Sequence, residues 1–245
     1  MYLSHLLIDV GNNPDRPRPG RLWLRNLYHV HQRLCMAFPC RSQKSHDPNF
    51  LKPFKPEEFG DNQVHVSRGA DCGFLFRIER PPGGRVVILV QSAVKPDWGY
   101  AFHNAGHLLA AADVRPFDPC FVAGQRLRFR LRANPTVKRV FQKTQPGEGK
   151  PVGKRVGVSG EEAQRAWLES RSQASGFRLV DFRVNSRADI QSTKLSTGMK
   201  MKHLSVDYEG VLAVTDPDLF AKTLGSGIGS AKGFGFGLLS VAPLR

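Results

Sequence analysis

Hydrophobic positions along the chain switch between a spacing of two and a spacing of three to four, and the switches outline two units of similar plan. Residues 2–10 are a short apolar stretch that predicts a strand. Over residues 26–38, Leu27, Val30, Leu34 and Phe38 recur at steps of three and four, the pattern of an amphipathic helix. Asn26 is placed to cap that helix and Pro39 to stop it. Residues 73–79 and 85–91 read as two strands joined by the turn sequence Pro81-Pro82-Gly83-Gly84. Residues 98–112 fit a short helix and a closing edge strand. Residues 11–20 read as a loop, and residues 41–69, polar and proline-containing, as a long connection or insertion.

The second unit opens at residue 122. A strand is expected over 126–132, then a basic, glycine-containing excursion over 138–158. Ser159 is placed to cap a helix that has Glu161 and Glu162 in its first turn and Gly176 at its end. Residues 177–184 and 202–214 read as strands, 216–224 as a short helix and 235–241 as the last strand. This order is β-α-β-β-α-β, and the first unit fits the same order. The expected fold class is α+β, with tandem ferredoxin-like (βαββαβ) domains and a C-terminal glycine-rich loop. The expected division is residues 1–112, a linker at 113–121, and residues 122–245.

Charge narrows the function. The chain has 245 residues and 36 Lys and Arg against 21 Asp and Glu, a formal net charge of +15. Such an excess points to a polyanionic partner. No apolar run reaches the roughly 20 residues that span a bilayer, and no lipidation motif or basic amphipathic helix stands out, so nucleic acid is favoured over membrane. The N-terminus lacks the basic and small-residue features of a secretion signal. Cys35, Cys40, Cys72 and Cys120 form no CxxC pair, and read as buried free thiols of a reducing, cytoplasmic compartment.

Three basic features and one helix carry candidate chemistry. Arg126, Arg128, Arg130 and Arg132 alternate with Leu127, Phe129 and Leu131, which puts four guanidiniums on one face of a strand. With acidic residues scarce, phosphate contact is preferred to an ordinary solvated face for at least part of that row. Lys194, Lys200 and Lys202 flank Ser196-Thr197-Gly198 and suggest a basic hairpin tip, to be weighed against a solvated loop. The tail from Gly225 to Gly237 has six glycines in thirteen residues, with Gly227, Gly229 and Lys232 as candidate phosphate contacts. It matches neither a P-loop nor a dinucleotide fingerprint, but a bare backbone can approach a ligand closely. On the first helix, Tyr28 and His31 lie about 60° apart, whereas His29 and His31 lie about 160° apart and make a poor metal pair. A tyrosine and a histidine on one face suit acid/base cleavage of RNA. No carboxylate cluster for two metals, HExxH or deaminase zinc motif is present, so no metal and no cofactor is expected.

Together these segments resemble the CasE family of CRISPR-associated endoribonucleases, in the wider RAMP superfamily. The resemblance rests on Met1-Tyr-Leu-Ser, on Leu27-Tyr-His-Val-His-Gln, on Phe129-Arg-Leu-Arg-Ala-Asn-Pro135, and on Gly227-Ile-Gly followed by Gly235-Phe-Gly-Leu-Leu-Ser-Val-Ala-Pro243, with Ala166-Trp-Leu as a lesser match. It implies tandem ferredoxin-like domains and metal-independent cleavage of precursor CRISPR RNA at the base of each repeat's stem-loop. It implies as partners that stem-loop and the other subunits of the type I-E surveillance complex. It places catalysis on Tyr28 and His31, with His31 as general acid or general base, and not on His29. Some relatives carry Arg where this chain has Gln32. By order, the hairpin that contacts the RNA stem falls at residues 194–202. The alternatives are a CRISPR RNA-holding subunit without turnover and a metal-dependent nuclease.

Overall fold

The computed structural model describes residues 1–11, 18–38, 73–81, 84–141, 152–186, 189–194 and 199–244. The first unit runs β1 (Tyr2–Ile8), α1 (Pro19–Trp23), α2 (Leu27–Cys35), β2 (Phe74–Glu79), β3 (Val86–Ser92), α3 (Trp98–Ala101), a 3-10 turn at Gly106–Leu108 and β4 (Leu109–Pro116). Its sheet has the order β2-β3-β1-β4, every neighbouring pair antiparallel. Leu27, Val30 and Leu34 of α2 pack with Leu6, Phe76, Ile88 and Val90 of the sheet. The three-and-four spacing of α2 therefore does what it predicts, burying one stripe of the helix.

The second unit runs β5 (Arg126–Ala133), β6 (Thr136–Phe141), β7 (Val152–Gly157), α4 (Glu161–Gln173), β8 (Phe177–Ser186), β9 (Ile190–Lys194), β10 (Met199–His203), β11 (Val206–Val214), α5 (Pro217–Ser226), a 3-10 turn at Lys232–Phe234 and β12 (Leu239–Pro243). Its main sheet has the order β12-β5-β11-β8. Each sheet puts its first strand between its third and fourth, so the two units share the ferredoxin-like plan. Trp167 and Leu168 of α4 and Phe220 and Leu224 of α5 pack on Leu127, Phe129 and Leu131 of β5.

Two antiparallel hairpins, β6-β7 and β9-β10, stand off these sheets. The first falls where the pattern predicts a loop. A two-stranded ribbon with little buried face leaves no hydrophobic alternation to detect. The strand expected over 202–214 is two strands broken at Leu204 and Ser205, because β10 pairs with β9 alone while β11 joins the main sheet between β5 and β8. Helix α4 begins from Gly160 at φ 88°, with no side-chain cap, so Ser159 does not serve as one. The edge strand β4 extends to Pro116, beyond the boundary expected at residue 112. Among the described cysteines, Cys35 is buried as expected, while Cys120 is exposed. The insertion over 41–69 and the tip Ser196-Thr197-Gly198 lie outside the described residues.

Two arginines join the units. Arg77 of β2 is only 3% exposed, yet it comes from the first sheet and reaches the second. It donates to the carbonyls of Arg130 at 3.2 Å and Leu238 at 3.0 Å and to the Ser240 hydroxyl at 3.0 Å, while its Nε is paired with Glu79. Burial pulls its pKa down, opposed by the Glu79 carboxylate. Arg132 reaches the other way. It binds both carboxylate oxygens of Asp207, at 2.7 and 3.2 Å, and donates to the Ile78 carbonyl at 2.7 Å.

Candidate active site

Helix α2 carries both candidate catalytic side chains, and its cap determines which way they point. The side-chain oxygen of Asn26 accepts from the Tyr28 amide at 3.1 Å, which starts the helix there. With Leu27, Val30 and Leu34 turned into the core, Tyr28 and His31 come out half-buried. His29 turns back to the cap, where its Nε2 lies 3.1 Å from Asn26 Nδ2.

His31 sits in a socket built from three elements. Its ring stacks on Phe74 of β2 with centroids 5.8 Å apart. The Sγ of Cys35, one helical turn on, lies 3.5 Å from its Nε2 and 4.0 Å from its Nδ1. The third wall comes from the second unit: a Cβ placed on Gly233 would lie 3.5 Å from His31 Cε1 and 3.7 Å from Nε2, ordinary van der Waals contact. The glycine backbone therefore faces the imidazole across the space of one methyl group. Gln32, the next residue along, is half-buried, and its Oε1 takes no hydrogen bond among the described residues.

The glycine-rich tail makes this approach possible. Gly227 has φ 72°, and a Cβ there would lie 2.8 Å from both the Gly237 carbonyl and a Leu75 methyl of the first unit. No other residue could close that joint without moving it. Ala231 at φ 59° enters the 3-10 turn at Lys232–Phe234, and Gly235 at φ 81° leaves it. Lys232 ties the turn down by donating to the Ser226 carbonyl at 2.6 Å, and burial lowers its pKa. Gly229 packs on the Trp167 ring. Behind the turn, the His203 ring at the end of β10 packs tilted against Phe234 with centroids 4.6 Å apart, and desolvation lowers its pKa.

The other basic candidates separate by position. Arg126 and Arg128 are exposed on β5, with Leu127, Phe129 and Leu131 buried between and beyond them, as the alternation predicts. Arg130 lies 3.2 Å from Glu79 and stays 43% exposed. Arg132 is 12% exposed and fully engaged. Acidic neighbours are thus not scarce along β5: Glu79 and Asp207 supply them where the two units meet. On the β9-β10 hairpin Lys200 and Lys202 are exposed, and Lys202 Nζ lies 2.6 Å from Asp189. Lys194 ends β9 and pairs with Met199. The β6-β7 hairpin adds a basic ribbon whose register sets Lys138 opposite Arg155 and Arg139 opposite Lys154. Lys138 and Arg155 are like charges at facing positions, which repel, and a phosphate chain relieves such repulsion.

Sequence reasoning missed Phe74, Cys35, Gly233 and His203 as neighbours of the site. Cys35 was within reach, since it stands four residues after His31. The others are brought in by pairing across the chain. Among the described residues no group of three His, Cys, Asp or Glu is placed to hold a metal ion, and no helix is long and apolar enough to cross a membrane.

The CRISPR associated protein family matches residues 1–243 of the chain. The chain belongs to the CasE-type CRISPR-associated family. Its CasE-type relatives include the CRISPR-associated endoribonuclease Cse3 of Thermus thermophilus, 36% identical over 196 residues that cover 73% of this chain and 85% of that protein. The CRISPR system Cascade subunit CasE of Escherichia coli K12 is 30% identical, with 100% of both chains covered. A solved structure of CRISPR endoribonuclease Cse3 bound to a 19-nucleotide RNA matches with a TM-score of 0.68 at 30% identity, over 99% of this chain and 100% of that one.

Proposed function

We propose that the protein is an endoribonuclease that cuts precursor CRISPR RNA at the base of the repeat stem-loop. The observation that carries this reading is the socket at the domain junction, which holds His31 against Phe74 and Gly233 on the same helix face as Tyr28. The naming of the Thermus thermophilus relative as an endoribonuclease, and the RNA in the matching Cse3 structure, support it. The Escherichia coli relative is named as a Cascade subunit, which supports retention of the product RNA within a type I-E surveillance complex. Processing of transcripts makes the cytoplasm the place of work.

The nucleophile belongs to the RNA. The ribose 2′-OH loses its proton and bonds to the adjacent phosphorus, the bond from phosphorus to the 5′-oxygen of the next nucleotide breaks, and that oxygen gains a proton. The products are a 2′,3′-cyclic phosphate and a 5′-OH. His31 is the general acid that protonates the leaving oxygen, since imidazole exchanges protons near neutrality. Tyr28 orients the ribose or phosphate through its hydroxyl. Arg126, Arg128 and the lysines of the β9-β10 hairpin, Lys194, Lys200 and Lys202, hold phosphates along the stem, and the β6-β7 ribbon adds to them. Gly227, Gly229 and Lys232 serve by building the turn that bounds the scissile phosphate. Arg130 and Arg132 act at the junction, Arg130 with part of its guanidinium still open to RNA.

The test is a repeat RNA with one 2′-deoxy nucleotide immediately 5′ of the scissile phosphate. It binds, because one hydroxyl contact contributes about 0.5–1.5 kcal/mol, but it is not cut. Cleavage of the deoxy RNA at the normal rate, or activity lost on adding a chelator, would refute the 2′-OH mechanism.

A further inference from the structure

The β9-β10 hairpin is fastened to the body of the protein at its base. Ile190 and His203 are the paired residues nearest that base, and opposed residues of an antiparallel pair put their side chains on the same face. That face meets two partners. Ile190 packs against the core of the first unit, where Phe234 also packs. His203 packs on Phe234 itself, with ring centroids 4.6 Å apart, and on Phe236 at 5.9 Å. Phe236 is fully buried and gives the imidazole a fixed backing. The His203 Nε2 is shut off from solvent and takes no hydrogen bond among the described residues, so packing alone holds that end of the ring. Phe234 follows Gly233, the residue that faces His31. A series of neighbouring groups therefore runs from the hairpin, through His203, Phe234 and Gly233, to the candidate general acid.

Close-packed side chains pass a displacement on to their neighbours, because they have no free volume to absorb it. We infer that His203 is a positioning residue for the cleavage: its ring holds Phe234, and with it the Gly233 wall of the His31 socket, in the place set by the β9-β10 hairpin. The inference rests on the proposed RNA cleavage and on the stem contacts proposed for that hairpin. It gives the hairpin a second task. A stem seated on Lys200 and Lys202 fixes the hairpin, and the base of the hairpin then fixes the space left to His31. Seating the stem and setting the catalytic group become one event, although His203 itself touches neither the RNA nor the imidazole of His31.

The test separates rate from affinity in the whole chain. In His203→Ala, single-turnover cleavage of the stem-loop RNA should fall by as much as about 100-fold, the size expected when a reacting group is misplaced by about 1 Å. Affinity for the 2′-deoxy RNA should stay at the wild-type value, a split that a general loss of folded protein does not produce. His203→Phe keeps a ring on Phe234 and should restore the rate. Phe234→Ala breaks the same contact from its other side. The double variant should be no slower than the slower single one, because residues in contact do not act additively. Where a melting curve shows that an alanine variant does not fold, His203→Gln or Phe234→Leu, which lose the ring and keep most of the volume, takes its place. A wild-type rate in His203→Ala overturns the inference. So does a fall in affinity equal to the fall in rate, or independent effects in the double variant. The wild-type protein is first shown to cut the intact RNA. Failure there sinks the cleavage reading, whereas normal cleavage with an unaffected His203→Ala sinks only the role of His203.

Discussion

Gly233, near the end of the chain, lies against the imidazole of His31, on the second helix, with only the space of a methyl group between them. The candidate active site is therefore lined by both units. Gly233→Ala fits, because its Cβ would meet the ring at ordinary contact distance. Gly233→Val adds methyl groups that have no room and displaces either the turn or the ring. The valine variant should lose most of its single-turnover cleavage rate while stem-loop affinity changes little, and the alanine variant should stay close to wild type. Equal rates for the two would show that the contact does not matter.

His31→Ala should reduce cleavage by about 10²–10⁴-fold, the usual contribution of a general acid or base, with RNA binding retained. His29→Ala should leave the chemistry intact and weaken the helix cap, because His29 is engaged with Asn26. Cleavage gels beside thermal melts separate the two effects, and equal loss of rate in both variants would overturn the assignment of His31.

The arginines should divide into two groups. Arg77→Met and Arg132→Met remove guanidiniums that bridge the two sheets and take from each several hydrogen bonds to a charged group, which typically contribute about 1.5–3 kcal/mol apiece. Both should lower the melting temperature. Arg126→Ala and Arg128→Ala sit on the exposed face of β5 and should leave stability alone while reducing the salt dependence of RNA binding. Melting curves and salt titrations on the four variants check the division. A flat melting temperature for Arg132→Met would free that residue for RNA contact.

His203 supplies a pH dependence whose sign is determined. Desolvation lowers its folded-state pKa below the ordinary value of about 6.5. Between the lowered value and the ordinary one, the unfolded chain binds more protons than the folded chain, so stability rises with pH across that window and is lost as pH falls through it. In His203→Phe a ring packed against Phe234 is kept and the proton site is gone. Its melting temperature should vary less than that of wild type over mildly acidic pH. The same slope in both proteins would assign the effect to other groups.

Local chemistry made much of this protein legible from its sequence. The period of Leu27, Val30 and Leu34 marked α2 and put Tyr28 and His31 on one face, because a helix translates spacing directly into direction. The alternation in β5 separated exposed Arg126 and Arg128 from buried Leu127 and Phe129 for the same reason. Asn26 caps its helix as expected, since capping depends on a few adjacent residues, whereas Ser159 does not cap α4. Only the tertiary structure decided what those residues meet. Nothing local distinguishes Arg132 from Arg128, yet register sets one against Asp207 and leaves the other in solvent. Nothing local says that Gly233 stands beside His31. Strand pairing and domain docking bring together groups far apart in the chain, and the free energy of those contacts depends on both partners, which no window of sequence contains.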